Sequence, residues 1–145
     1  MNALLANTPC DVLLDGNQRL GPKLMAHPGG LEYKAIYGFS SKKSYDLFCG
    51  NSDQSFIPYP LVKGYLKNQI ADSVDTVQLV VIDAAGRQET QVNAATMNSV
   101  LEAVEQKANQ VALSFRLTLD RESQAYCVEK AIAKLELASS LAKTQ

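Results

Sequence analysis

The chain has 145 residues, 46% of them hydrophobic and 20% charged, with 14 Lys+Arg against 15 Asp+Glu. That composition belongs to a globular chain able to build a core without disulfide or metal staples, and it reads as one domain over 1–145. A formal net charge of -1 lacks the basic footprint of a nucleic-acid binder and offers no polybasic membrane anchor.

The start, MNALLANTPC, has no positively charged region before its short apolar run and does not read as a signal peptide. No apolar run is long enough to span a bilayer. Cys10, Cys49 and Cys127 are odd in number and have no metal-type spacing. Together these point to a cytoplasmic setting with reduced thiols.

Residues 1–30 read as an irregular N-terminal segment, a lid or an extra strand. Within it, 11–14 suits a short strand, followed by the turn signal Asp15-Gly16-Asn17. Residues 21–30 hold two prolines and three glycines and read as a loop. Residues 31–39 alternate with Leu31, Tyr33, Ala35, Tyr37 and Phe39 on one face. Tyr45, Leu47 and Cys49 do the same over 44–49, so the two stretches suggest a hairpin across Ser40-Ser41-Lys42-Lys43.

Residues 50–60 read as a second loop, and Pro60 suits the first turn of a helix. Leu61, Val62, Tyr65, Leu66 and Ile70 then fall at helical spacing, though an interior Gly64 costs about 1 kcal/mol relative to alanine. Residues 76–83 are rich in β-branched side chains and read as a central strand. A turn at Ala84-Ala85-Gly86 leads to a polar return strand over 87–92, near an edge. Asn93 is a candidate N-cap, with Val92 and Met97 as a hydrophobic staple. Met97, Val100, Leu101, Val104 and Ala108 form the buried stripe of the helix that follows.

Residues 111–119, VALSFRLTL, alternate over their whole length and read as the strand on which the flanking helices pack. Asp120 then caps a last helix running to about Lys143, with apolar residues on two faces. The element order is β-β-α-β-β-α-β-α. It implies an α+β fold, with an antiparallel or mixed sheet of about five strands and helices packed on one face.

No GxGxxG, Walker-type glycine loop, HExxH or CxxC pair occurs, and a single histidine excludes a His-rich metal site. No cofactor and no metal are expected. His27 could serve as a general base, since imidazole titrates near neutrality, but no partner that would orient it can be named. Cys49 could be a nucleophile if its pKa were lowered; its spacing with Tyr45 and Leu47 favours a buried thiol instead. Asp53 and Asp83 could be paired as catalytic carboxylates, but nothing fixes their separation, and an aspartate following a strand commonly accepts from turn amides instead. Lys42, Lys43, Lys63 and Lys67 could gather an anion, or simply solvate two surfaces.

The sheet face away from the helices is more informative. If the fully apolar set of each strand faces the helices, then Ile36, Phe48, Val80 and Ile82 form an apolar centre on the open face, with Arg116 in a polar rim. That arrangement describes an interface. The expected function is therefore non-enzymatic association, with a protein partner or a second copy, through the open face or the C-terminal helix. The alternative is a small-molecule binder or small enzyme with a site between loops 21–30 and 50–60 around His27.

Overall fold

The computed structural model describes residues 5–25, 32–51, 56–72, 75–87 and 89–130. The chain opens with three strands, β1 (Leu5–Asn7), β2 (Asp11–Asp15) and β3 (Gln18–Arg19). The anticipated turn joins the last two: Gly16 takes a φ of 66° and Leu14 pairs with Arg19. β4 (Glu32–Phe39) then leads into a helix, α1 (Lys42–Gly50), not into a hairpin. Ser41 decides this locally, because its hydroxyl accepts from the Ser44 N–H at 3.2 Å and caps the first turn. Tyr45, Phe48 and Cys49 also stand at helical spacing. Phe48 is fully buried while Leu47 is 56% exposed, so the 3.6-residue period prevails over the alternation.

β5 (Ile57–Pro60) precedes α2 (Lys63–Ala71), so Pro60 closes a strand and the helix begins three residues later. β6 (Thr76–Ile82) returns parallel to β4, from Glu32 opposite Thr76 to Gly38 opposite Ile82. β7 (Gln91–Thr96) runs antiparallel to β6, and α3 (Met97–Glu105) follows at once. Its N-cap is Thr96, whose hydroxyl accepts from the Ser99 N–H at 3.0 Å; Asn93 lies inside β7.

The 111–119 stretch is split. β8 (Gln110–Ala112) pairs with β1 in a separate two-stranded ribbon, and β9 (Phe115–Asp120) pairs with β7 in the main sheet. The Ser114 N–H donates to the Ala94 carbonyl at the break. Asp120 begins a turn and no helix: its carboxylate accepts from the Ser123 N–H and hydroxyl, and β10 (Ala125–Lys130) folds back antiparallel on β9. The rest of the anticipated last helix, 131–143, lies outside the described residues.

The main sheet runs β10-β9-β7-β6-β4-β2-β3, with β5 on the outer side of β2. The expected sheet of about five strands with helices on one face is thus corrected. Among the described residues the sheet has eight strands, mixed in direction, and helices cover both faces. One core gathers Tyr37, Phe39, Leu79, Val81, Phe115 and Leu117 around Phe48 of α1. The second sets Ile36, Val80, Ile82 and Ala95 under Leu66 of α2 and Met97 and Val100 of α3. Val111 and Leu113 belong to the second core and Phe115 and Leu117 to the first, so the break lets one alternating stretch serve both.

Residues 20–25 form a strap joining distant parts of the sheet. The Tyr37 N–H donates to the Leu20 carbonyl, the Tyr126 N–H to Lys23, and the Met25 N–H to Tyr126. The strap therefore reaches from β4 to the outer edge of β10, and the sheet curls around the first core.

Candidate functional site

The residues expected to form an open apolar face are buried within the chain. Ile36 and Ile82 are 8% exposed and Val80 is fully buried, all in the core beneath α2 and α3. Phe48 lies in the other core, on α1. Arg116 is half-buried on β9, opposite Asn93. The two apolar sets of each strand do face opposite ways, but helices cover both, and these five residues share no exposed surface.

Cys49 packs against the first core, and burial pushes its thiol pKa up, opposite to the lowering that a nucleophile needs. His27 and Asp53 lie outside the described residues, and so does the convergence of their loops. The four lysines are not gathered: α1 and α2 pack on different cores. Lys42 meets Asp46 at 2.6 Å, and Lys67 meets Glu105 at 3.6 Å.

A cleft of about 480 Å³ opens where β4 and β6 end, beside the start of α1. Parallel strands ending beside a helix N-terminus are a common place for a ligand. Here, however, the acidic group is engaged. Asp83, at a φ of 56°, accepts from the Ser40 N–H at 2.8 Å and the Ser40 hydroxyl at 2.7 Å. Cys10, on the cleft wall, has its pKa raised by burial first and by its bond to Asp11 second. The cleft thus holds a carboxylate engaged by Ser40 and a thiol whose pKa is raised, away from that of an activated nucleophile.

A different surface carries more information. In the β2 registers, Leu14 stands opposite both Arg19 and Ile57, and Val12 stands opposite Tyr59. Side chains at paired positions share a face, so Arg19, Leu14, Ile57 and Tyr59 form a strip beside α2. The Arg19 guanidinium lies 3.6 Å from the Tyr65 ring centroid and 5.7 Å from that of Tyr59. Its Nε is removed from solvent with no acceptor in reach. Among the described residues no carboxylate forms an ion pair with it. The Tyr65 phenol pKa is raised by burial and drawn partly back by the cation above it.

Around this stack, Ile57 is 64%, Tyr59 45% and Val62 47% exposed. Three large apolar side chains left in water next to an unpaired, stacked arginine are a combination found at protein interfaces. The sequence signal for it was faint. Ile57 and Tyr59 fall in a stretch that reads as a loop, and Val62 reads as part of the buried face of a helix, whereas it is 47% exposed.

The outer edge of β5 is closed in an unusual way. The Leu61 N–H donates to the Cys10 carbonyl, so residues 57, 59 and 61 turn their nitrogens toward β2. Residues 58 and 60 turn theirs outward, and both are proline, which has no N–H to offer another strand.

No three or more His, Cys, Asp or Glu gather as a metal site among the described residues. No helix among them is long and apolar enough to cross a membrane. Comparison with protein-family models, curated proteins and solved structures found no match to this chain.

Proposed function

We propose that this protein acts by association with another protein, through the surface formed by β3, β5 and the start of α2, and not by catalysis. The observation that carries this reading is the Arg19 guanidinium, stacked on Tyr65 and unpaired among the described residues, inside an exposed apolar strip. An arginine held flat against a ring loses little further freedom when a partner docks, and such anchors dominate interface energetics. The chemistry of the cleft supports the same choice, because its carboxylate is engaged by Ser40 and its thiol has a raised pKa. Three unpaired cysteines suit a reducing compartment, and we place the protein in the cytoplasm.

The test is site-specific photo-crosslinking in the native cells, with the reactive group at Tyr59 and, as control, at Lys43, exposed on α1 across the sheet. The expected result is a discrete adduct from position 59 that is absent from position 43 and lost in Arg19→Glu. Equal, diffuse labelling at both positions would sink the reading. Light scattering of the purified chain over a range of concentrations separates a second copy from a different protein as the partner.

A further inference from the structure

Resting on that association reading, we infer that the partner element docking here presents a carboxylate beside an apolar side chain, and seats on the face of the strip without adding a strand to the sheet. Three observations define this chemistry. The first is charge. Arg19 is unpaired among the described residues, and Asp15, the nearest acid in the hairpin, follows Leu14 and so points to the opposite face of β2. The exposed Lys63 opens α2 immediately after Val62, and the first turn of that helix holds no acidic residue. The strip is therefore positive as well as apolar.

The second observation is geometry. A guanidinium is permanently charged, flat and weakly hydrated, and its fork of donors matches a carboxylate in bidentate fashion. Stacking on Tyr65 at 3.6 Å sets the plane of that fork before any partner arrives. A singly charged carboxylate is matched by the one stacked guanidinium, whereas a doubly charged phosphate would have to draw on Lys63 as well. The flanking Ile57, Tyr59 and Val62 call for an aliphatic or aromatic neighbour on the partner.

The third observation is the edge. An extended peptide would pair along β5, yet both outward-facing nitrogens there belong to proline. Backbone addition is closed, so affinity must come from side chains projected by a helix or a loop.

The test uses minimal probes on the full chain. The Arg19 Nε–H and the ring signals of Tyr59 and Tyr65 are followed by NMR during titration with 4-phenylbutyrate, 4-phenylbutanol, acetate and phenyl phosphate. The expected result is saturable movement of all three residues with 4-phenylbutyrate, at about tenfold lower concentration than any other probe, the size of one charge-assisted hydrogen bond. Arg19→Met, whose folding is checked in the same spectra, is expected to abolish the preference for the acid over the alcohol while the tyrosines still respond.

Equal binding of acid and alcohol would overturn the carboxylate, and stronger binding of phenyl phosphate would replace it. No response to any probe, with the crosslink at position 59 intact, would overturn this inference and leave association standing. Loss of that crosslink would remove both.

Discussion

Tyr37 is 2% exposed and its ring centroid lies 4.7 Å from that of Phe48. Burial pushes its phenol far above the ordinary value of 10. Burial raises Tyr65 and Tyr126 too. The linkage has a definite sign. Above pH about 10 the unfolded chain gives up its phenol protons while the folded chain retains them, so stability falls as pH rises, by about 1.4 kcal/mol per pH unit for each proton retained. The urea midpoint is expected to fall steeply above that pH, and Tyr37→Phe is expected to make the fall shallower with little change at neutrality. A variant with the original slope would show that Tyr37 ionises as freely folded as unfolded. Single residues also explain which expectations survived. Gly16 was legible as a turn because its left-handed φ is one that glycine adopts at no steric cost. Thr96 was not legible as a cap, because Asn93 has an equally suitable side chain and only strand pairing with β9 decides between them.

Among the elements, the strap and β5 are the ones whose roles depend on particular backbone atoms. A Cβ built on Gly21 would stand 1.9 Å from the Ala35 carbonyl oxygen, and neither partner is a side chain that can swing away. Gly21→Ala is expected to cost about 3 kcal/mol or more, read as a lowered denaturation midpoint with increased hydrogen exchange at Tyr37 and Tyr126. A midpoint unchanged from the parent would mean that the strap does not hold β4 and β10 together. For β5 the expectation concerns behaviour and not stability. Pro58→Val with Pro60→Val restores two outward N–H groups on an exposed apolar edge, and light scattering should then show growing aggregates. A double variant as monodisperse as the parent would show that the prolines are not what protects the edge. The elements read from sequence failed where two periods fitted one stretch. Residues 44–49 alternate and also repeat at 3.6, and only the cap at Ser41 and the burial of Phe48 choose the helix. After Asp120 the opposite error occurred. Ala125 and Val128 fit a helical stripe, while the pairing of β10 with β9 makes them part of a strand.

For the molecule as a whole, alternation sorted the apolar residues of β4 and β6 correctly into two sets, but it put Phe48 and Leu113 in the wrong ones and did not give the covering of both sets. That depends on α1 crossing one face and on α2 and α3 crossing the other, a matter of long-range packing that no local period encodes. The candidate interface was hidden for the same reason. Arg19 meets Tyr59 and Tyr65 only once β2 has paired with both β3 and β5. The strap has one more consequence, and it concerns time. Leu5 pairs with Ala112, the Thr8 hydroxyl reaches the Ala108 carbonyl 100 positions away, and residues 23–25 bond to Tyr126. A ribosome adds roughly 5–20 residues per second, so on the order of 5–20 s pass between the emergence of β1 and that of its partner strand. Throughout that interval β1 and residues 23–25 are without their partners, and must neither find a wrong edge nor be cut. β1, made about a hundred residues before the strand it pairs with, is among the last to be placed.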